Sequence, residues 1–178
     1  MRAVETVEEA VREPRLAARR LYAGYAGADR PFREYALLAA TFNVAFATLV
    51  ARRRERLPER YALTDLVLVG VATHKLSRVL TKDRVTSFLR APFTRYRGAE
   101  GRGEVSEEAR GTGLRRALGE LLVCPYCVAL WVSGGLSLGL VYAPRVTRLA
   151  AFALSSLALA DTLQLGYRGL ADRVSRAS

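Results

Sequence analysis

The chain has 178 residues, 51% of them hydrophobic, and a formal net charge of +11 from 28 Lys+Arg against 17 Asp+Glu. That length suits one domain, and two cysteines exclude a secreted disulfide scaffold. The charge admits nucleic acid or an anionic membrane surface as partner; no nucleic-acid-binding pattern is present, and the apolar residues gather into long runs, which decides for the membrane.

Residues 1–34 carry Glu5, Glu8, Glu9 and Glu13 among arginines and have no apolar h-region, so no secretory signal peptide is expected there. Within residues 1–21, Val4, Val7, Val11 and Ala18 recur at helical spacing, and Thr6 with Glu9 suits a capping box. This predicts an N-terminal amphipathic helix, followed by a linker at Gly24, Gly27, Asp29 and Pro31. Residues 35–51 then run without a charge between Glu34 and Arg52, long enough to predict an extra transmembrane helix.

Residues 61–81 are ambiguous. An apolar stretch from Leu66 to Thr73 is flanked by Asp65, His74, Lys75 and Arg78, each costly at a bilayer centre, although long basic side chains can snorkel to the interface. Residues 82–118 follow as a basic connection. Its first half mixes Val85, Phe88, Leu89, Phe93 and Tyr96 with Arg90, Arg95 and Arg97, the composition of a segment lying in the membrane interface, with Pro92 breaking any helix. Residues 98–113, rich in Gly and Glu, read as a mobile loop.

Residues 121–144 are free of charge, the strongest membrane signal in the chain, and Pro144 marks a short turn into a last apolar run at 149–167, interrupted only by Asp161 and Gln164. So short a connection predicts an antiparallel hairpin. Residues 168–178 read as a polar tail.

If all four segments span, residues 1–34, 82–116 and 168–178 place 19 Lys/Arg on one side, and residues 52–60 and 145–148 place 7 on the other. If 61–81 does not span, the balance is 19 against 9. Either way the positive-inside rule makes the 82–118 loop and the C-terminus cytoplasmic, with Cys124 at the cytoplasmic end of its helix.

The sharpest motif is Cys-Pro-Tyr-Cys at 124–127. A helix start favours the thiolate form of a cysteine, and Pro125 suits a first helical turn. The motif is shared with glutaredoxin-type sites, which need a preceding strand, and with membrane thiol oxidoreductases, which need a second cysteine pair. The favoured reading is two small packing residues, reduced on the cytoplasmic side. Zinc needs about four ligands; Cys124 and Cys127 with His74, the one histidine, leave a shortfall that Asp65 or Asp161 would have to fill. No catalytic residue is assigned.

Asp161 and Gln164 share one helix face, and an acid inside a membrane needs a partner, for which Lys75 and Arg78 are the candidates. Asp65, Lys75, Arg78, Asp161 and Gln164 are thus expected to form an intramembrane polar cluster. Trp131, Gly134, Gly135 and Gly139 suit helix packing.

From Asp65 onward, over about residues 64–167, the chain resembles domain-of-unknown-function family 1360, small bacterial membrane proteins. The resemblance rests on TDL at 64–66, HKLSRVLTKDRVTSFLRAPF at 74–93 and CPYCVALW at 124–131, with Asp161 and Gln164 in the last helix. It implies a membrane location and no mechanism. Residues 35–51 lie outside it.

The expected fold is all-α, an integral membrane bundle of three to four transmembrane helices. The expected function is non-catalytic, through helix packing or partner binding. The alternatives are a thiol-redox or metal protein using Cys124 and Cys127, and a small transporter or channel subunit using Asp65, Arg78 and Asp161. The expected partners are the lipid bilayer, anionic headgroups at the basic loops, and a second copy or another membrane protein, with no nucleic acid.

Overall fold

The structure, a computed structural model, describes residues 30–177; the amphipathic helix and most of the linker expected before Arg30 lie outside the described residues. Helix α1 covers Phe32–Arg52, uncharged between its charged ends, and none of its residues is buried. A short turn of 3-10 helix at Arg54–Arg56 leads to α2, Leu63–Thr81. The ambiguous stretch is therefore one continuous helix, and its 19 residues extend about 28 Å at 1.5 Å per residue.

The chain then leaves the bundle. A second 3-10 turn at Arg84–Thr86 and the short helix α3, Ser87–Arg90, end before Pro92, where a proline disfavours helix in the residue before it. Strands β1, Thr94–Ala99, and β2, Val105–Ala109, pair antiparallel with a bulge between Tyr96 and Gly98. Gly101 and Gly103 turn the hairpin at φ of 79° and 78°, a region that side chains with a Cβ rarely adopt. This corrects two expectations: the fold is not purely α, and most of residues 98–113, expected as a loop, belongs to the hairpin of 94–109. The hairpin is tied back to the end of α2, where the Val105 amide donates to the Lys82 carbonyl and the Arg84 amide to Gly103. Helix α4, Gly113–Val123, covers it, approaching so closely that a Cβ on Gly119 would lie 2.5 Å from the Phe93 carbonyl.

Helix α5, Pro125–Tyr142, starts on Pro125, whose missing N–H is harmless in a first turn. Ala143 alone separates it from α6, Pro144–Ala177. The expected hairpin is present, and its arms meet where Gly139 faces Thr147, with no room for a larger side chain. The expected tail is not separate: residues 168–177 continue α6, which at 34 residues extends about 51 Å.

Contacts between helices set their directions. Phe42 meets Trp131 and Leu49 meets Tyr142, so α1 and α5 run parallel. Asp65 meets Arg148 and Lys75 meets Asp161, so α2 and α6 run parallel, opposite to α5. The four long helices therefore alternate, and residues 82–124 form a compact module at one end. Three of them, Phe32–Arg52, Pro125–Tyr142 and Pro144–Arg176, are long and apolar enough to cross a membrane. Their apolar side chains point outward: Val44 is 66% exposed, Leu130 56% and Phe152 63%.

Candidate functional site

The most enclosed polar group lies in the module. Arg90 is fully buried. Its Nε donates to Glu107 Oε2 at 2.6 Å, Nη1 to the Leu80 carbonyl and to Thr86 Oγ1, both at 2.8 Å, and Nη2 to the Asp83 carbonyl at 3.0 Å and Glu107 Oε1 at 3.4 Å. A guanidinium has five N–H donors, and all five are engaged. Thr94 Oγ1, one helical turn after Arg90, lies 3.2 Å from the same carboxylate. One side chain thus joins the end of α2, the turn after it and strand β2, with every donor satisfied, as burial of charge requires. Arg90 was grouped with interfacial residues in the sequence. The signal available there was the spacing Thr86–Arg90–Thr94, two hydroxyls four residues either side of an arginine.

The expected intramembrane cluster resolves into separate pairs along α2. Near its start, Arg148 of α6 grips Asp65 with two bonds of 2.9 and 2.8 Å. Below that, Ser155 Oγ donates to the Leu68 carbonyl. Further on, Lys75 Nζ lies 2.7 Å from Asp161 Oδ2, so that of the two candidates for that acid Lys75 is its partner and Arg78 is not. Near the end, Arg78 is bound by Glu104 of the turn before β2, at 2.6 and 2.7 Å through Nη2. Asp65 and Arg78 therefore do not join Asp161, because partners outside the expected set reach them first. Gln164 is exposed and takes no part in these ion pairs.

Cys124 caps α5 and is joined to Cys127 by a disulfide, so the reduced pair expected from the sequence is not what the structure holds. The Cys127 amide lies 3.2 Å from Cys124 Sγ. His74 is exposed on α2, and among the described residues no group of three or more His, Cys, Asp or Glu side chains converges to hold a metal. Trp131 packs edge-on against Phe42 at 5.2 Å, and Gly134 lies beneath Phe42 and Phe46. Gly135 does not share this contact: a Cβ there would meet nothing within 4 Å.

Where α1 meets α4, Tyr35 and Arg116 both donate to Glu120, and burial holds its carboxyl above the usual carboxylate range, with the charge of Arg30 opposing. Toward the opposite end, a cleft of about 250 Å³ opens among α1, α2 and α5, walled by Phe46, Val50, Leu66, Val69, Ser133 and Leu138. Asp65 also lines it, but its carboxylate is committed to Arg148. The cleft is mainly apolar, without a nucleophile–base pair. It suits a hydrocarbon chain better than a polar substrate.

A small helical protein with an apolar bundle and a charged, folded module between its second and third long helices is the class these features define. The chain belongs to the family described as protein of unknown function (DUF1360), whose pattern matches residues 68–167, more than half its length. The match starts beyond TDL at 64–66 and leaves α1 outside. It is similar to "Sporulation protein YjcA" of Bacillus subtilis (strain 168), 30% identical over 102 residues, covering 56% of this chain and 86% of that protein. It is also similar to "UPF0713 protein YngL" of the same organism, 25% identical over 89 residues, covering 49% of this chain and 66% of that one. No solved structure matches it significantly.

Proposed function

We propose that the protein is a four-helix integral membrane protein that holds the 82–124 module at the cytoplasmic face and acts there by binding a protein or lipid partner. The observation that carries this reading is the outward-facing apolar surface of α1, α5 and α6. In water such contiguous exposure is untenable, whereas hydrocarbon covers it at no cost. The alternating helix directions support it, since they bring both ends of the module to the same side as the start of α1 and the end of α6. Helix α2 carries Asp65, Lys75 and Arg78 within its 19 residues, and its Lys75 is matched by Asp161, which lowers the cost of burying either charge in a bilayer. The orientation rests on the Lys/Arg balance, 19 against 7.

Topology is tested by labelling one introduced cysteine at Arg102, exposed in the hairpin turn, in a Cys124→Ser/Cys127→Ser background. An impermeant maleimide added to intact cells should leave it unlabelled until the membrane is opened. Labelling from outside intact cells refutes the orientation, and recovery of the chain in a detergent-free soluble fraction refutes the membrane reading itself.

A further inference from the structure

The disulfide at the head of α5 has no architectural task. It closes a ring within one helical turn, from Cys124 at the junction of α4 and α5 to the third residue of α5, and so ties together no elements that are not already adjacent in the chain. The chain-entropy benefit of a cross-link grows with the loop it closes, and here the loop is about as short as a disulfide allows. The bond is also reachable. Cys127 is exposed, Cys124 is half-buried, and Tyr126 between them is 89% exposed, so the pair is open to solvent from the Cys127 side. Finally, the two sulfurs are not equivalent. Cys124 Sγ faces the amide of Cys127 at 3.2 Å and sits at the positive end of an 18-residue helix, an environment that stabilises negative charge on that sulfur.

We infer that Cys124 and Cys127 form a thiol–disulfide exchange site, with Cys124 the attacking sulfur and Cys127 the resolving one, whose substrates are thiols and disulfides in the solution or on proteins next to the membrane. In the oxidising direction for the protein, the Cys124 thiolate attacks one sulfur of a substrate disulfide. A bond forms from Cys124 Sγ to that sulfur, and the other substrate sulfur leaves as a thiolate. Cys127 then loses its proton, and its thiolate attacks Cys124 Sγ. The second substrate thiolate is released and the intramolecular disulfide forms. Two electrons pass from the cysteine pair to the substrate, and the released thiolates take up the two protons. The reverse sequence, with a substrate dithiol or two thiols as reductant, restores Cys124 and Cys127 as thiols. No second cysteine pair is needed, because the electrons are exchanged with the substrate directly. This inference does not depend on which way the bundle faces the membrane.

The full chain in detergent is equilibrated with graded mixtures of glutathione and glutathione disulfide, and its free thiols are read by a maleimide mass tag. The pair should pass from disulfide to dithiol in one reversible transition that follows the square of glutathione over its disulfide; a pair that stays in one state across the whole range overturns the assignment. Cys127→Ser should form a glutathione adduct at least roughly tenfold faster than Cys124→Ser, since only the former keeps the stabilised sulfur. Equal rates overturn the roles of the two residues. Should either variant fail to remain monodisperse, the wild-type titration still decides. In acid-quenched cells, Cys127→Ser should carry a mixed disulfide that Cys124→Ser lacks. A small mass increment identifies a soluble thiol as the source and a reducible cross-linked band identifies a protein; absence of both refutes exchange in the cell.

Discussion

Replacing Arg90 with alanine removes five hydrogen bonds at once and leaves the Leu80 and Asp83 carbonyls without the donors that meet them. It also leaves Glu107, 5% exposed, with a buried charge and only the Thr94 hydroxyl beside it. Removing one member of a buried ion pair costs about 3–5 kcal/mol, most of it the desolvation of the charge left behind. The loss should be local. Arg90 fastens the hairpin to the end of α2, whereas α5 and α6 are held by contacts it does not touch. Hydrogen exchange in detergent should therefore accelerate across residues 94–109 by at least roughly 10²-fold, as about 3 kcal/mol of lost protection requires, while exchange in α5 and α6 is unchanged. Arg90→Lys should recover only part of the protection, because an ammonium cannot meet five acceptors in the plane of a guanidinium. The double variant Arg90→Met/Glu107→Leu should cost less than either single truncation, since no charge is stranded. Hairpin exchange that changes less than tenfold in Arg90→Ala, or changes equally in α5, would show that Arg90 is not what fastens the module.

Lys75→Met should lower stability by about 1–3 kcal/mol by leaving Asp161 unpaired, and Lys75→Met/Asp161→Leu should regain most of it; thermal melting in detergent compares them, and equal losses would dismiss the pair. Gly119→Ala should destabilise by about 1–3 kcal/mol, because its Cβ would stand 2.5 Å from backbone that cannot rotate away. Gly70→Ala is the contrasting case: nothing lies within 4 Å, so it should be neutral or gain up to about 1 kcal/mol of helix propensity in the same melts. For Glu120, burial raises the carboxyl in the folded protein, so folding binds the proton more tightly than unfolding does; the resulting penalty is present above the raised value and disappears as pH falls toward and through the ordinary carboxylate range. Glu120→Gln should accordingly gain most over the unchanged protein at neutral pH, with the difference in melting temperature shrinking on acidification; a difference independent of pH would contradict this.

Much of the bundle is legible in the amino-acid sequence. The charge-free run at 35–51 and the apolar run at 149–167 fall within the helices α1 and α6, and the charge-free run at 121–144 contains the whole of α5, with Pro125 and Pro144 marking two of the starts. Lys75 is named there as a partner of Asp161, because an acid in an apolar helix admits few alternatives. Hydrophobicity is additive along a chain, and so a long apolar helix announces itself in any window that contains it. The hairpin of 94–109 gives no such signal. Its strands mix arginine, glutamate and glycine without apolar alternation, and what holds it is a set of ion pairs rather than a hydrophobic face. With 28 basic and 17 acidic residues, the chain offers many combinations of opposite charge. That Arg90 takes Glu107, Arg78 takes Glu104 and Arg148 takes Asp65 was decided only by the tertiary structure, across separations of 17, 26 and 83 residues. An ion pair depends on distance and direction in space, which the folded backbone supplies and the order of residues does not.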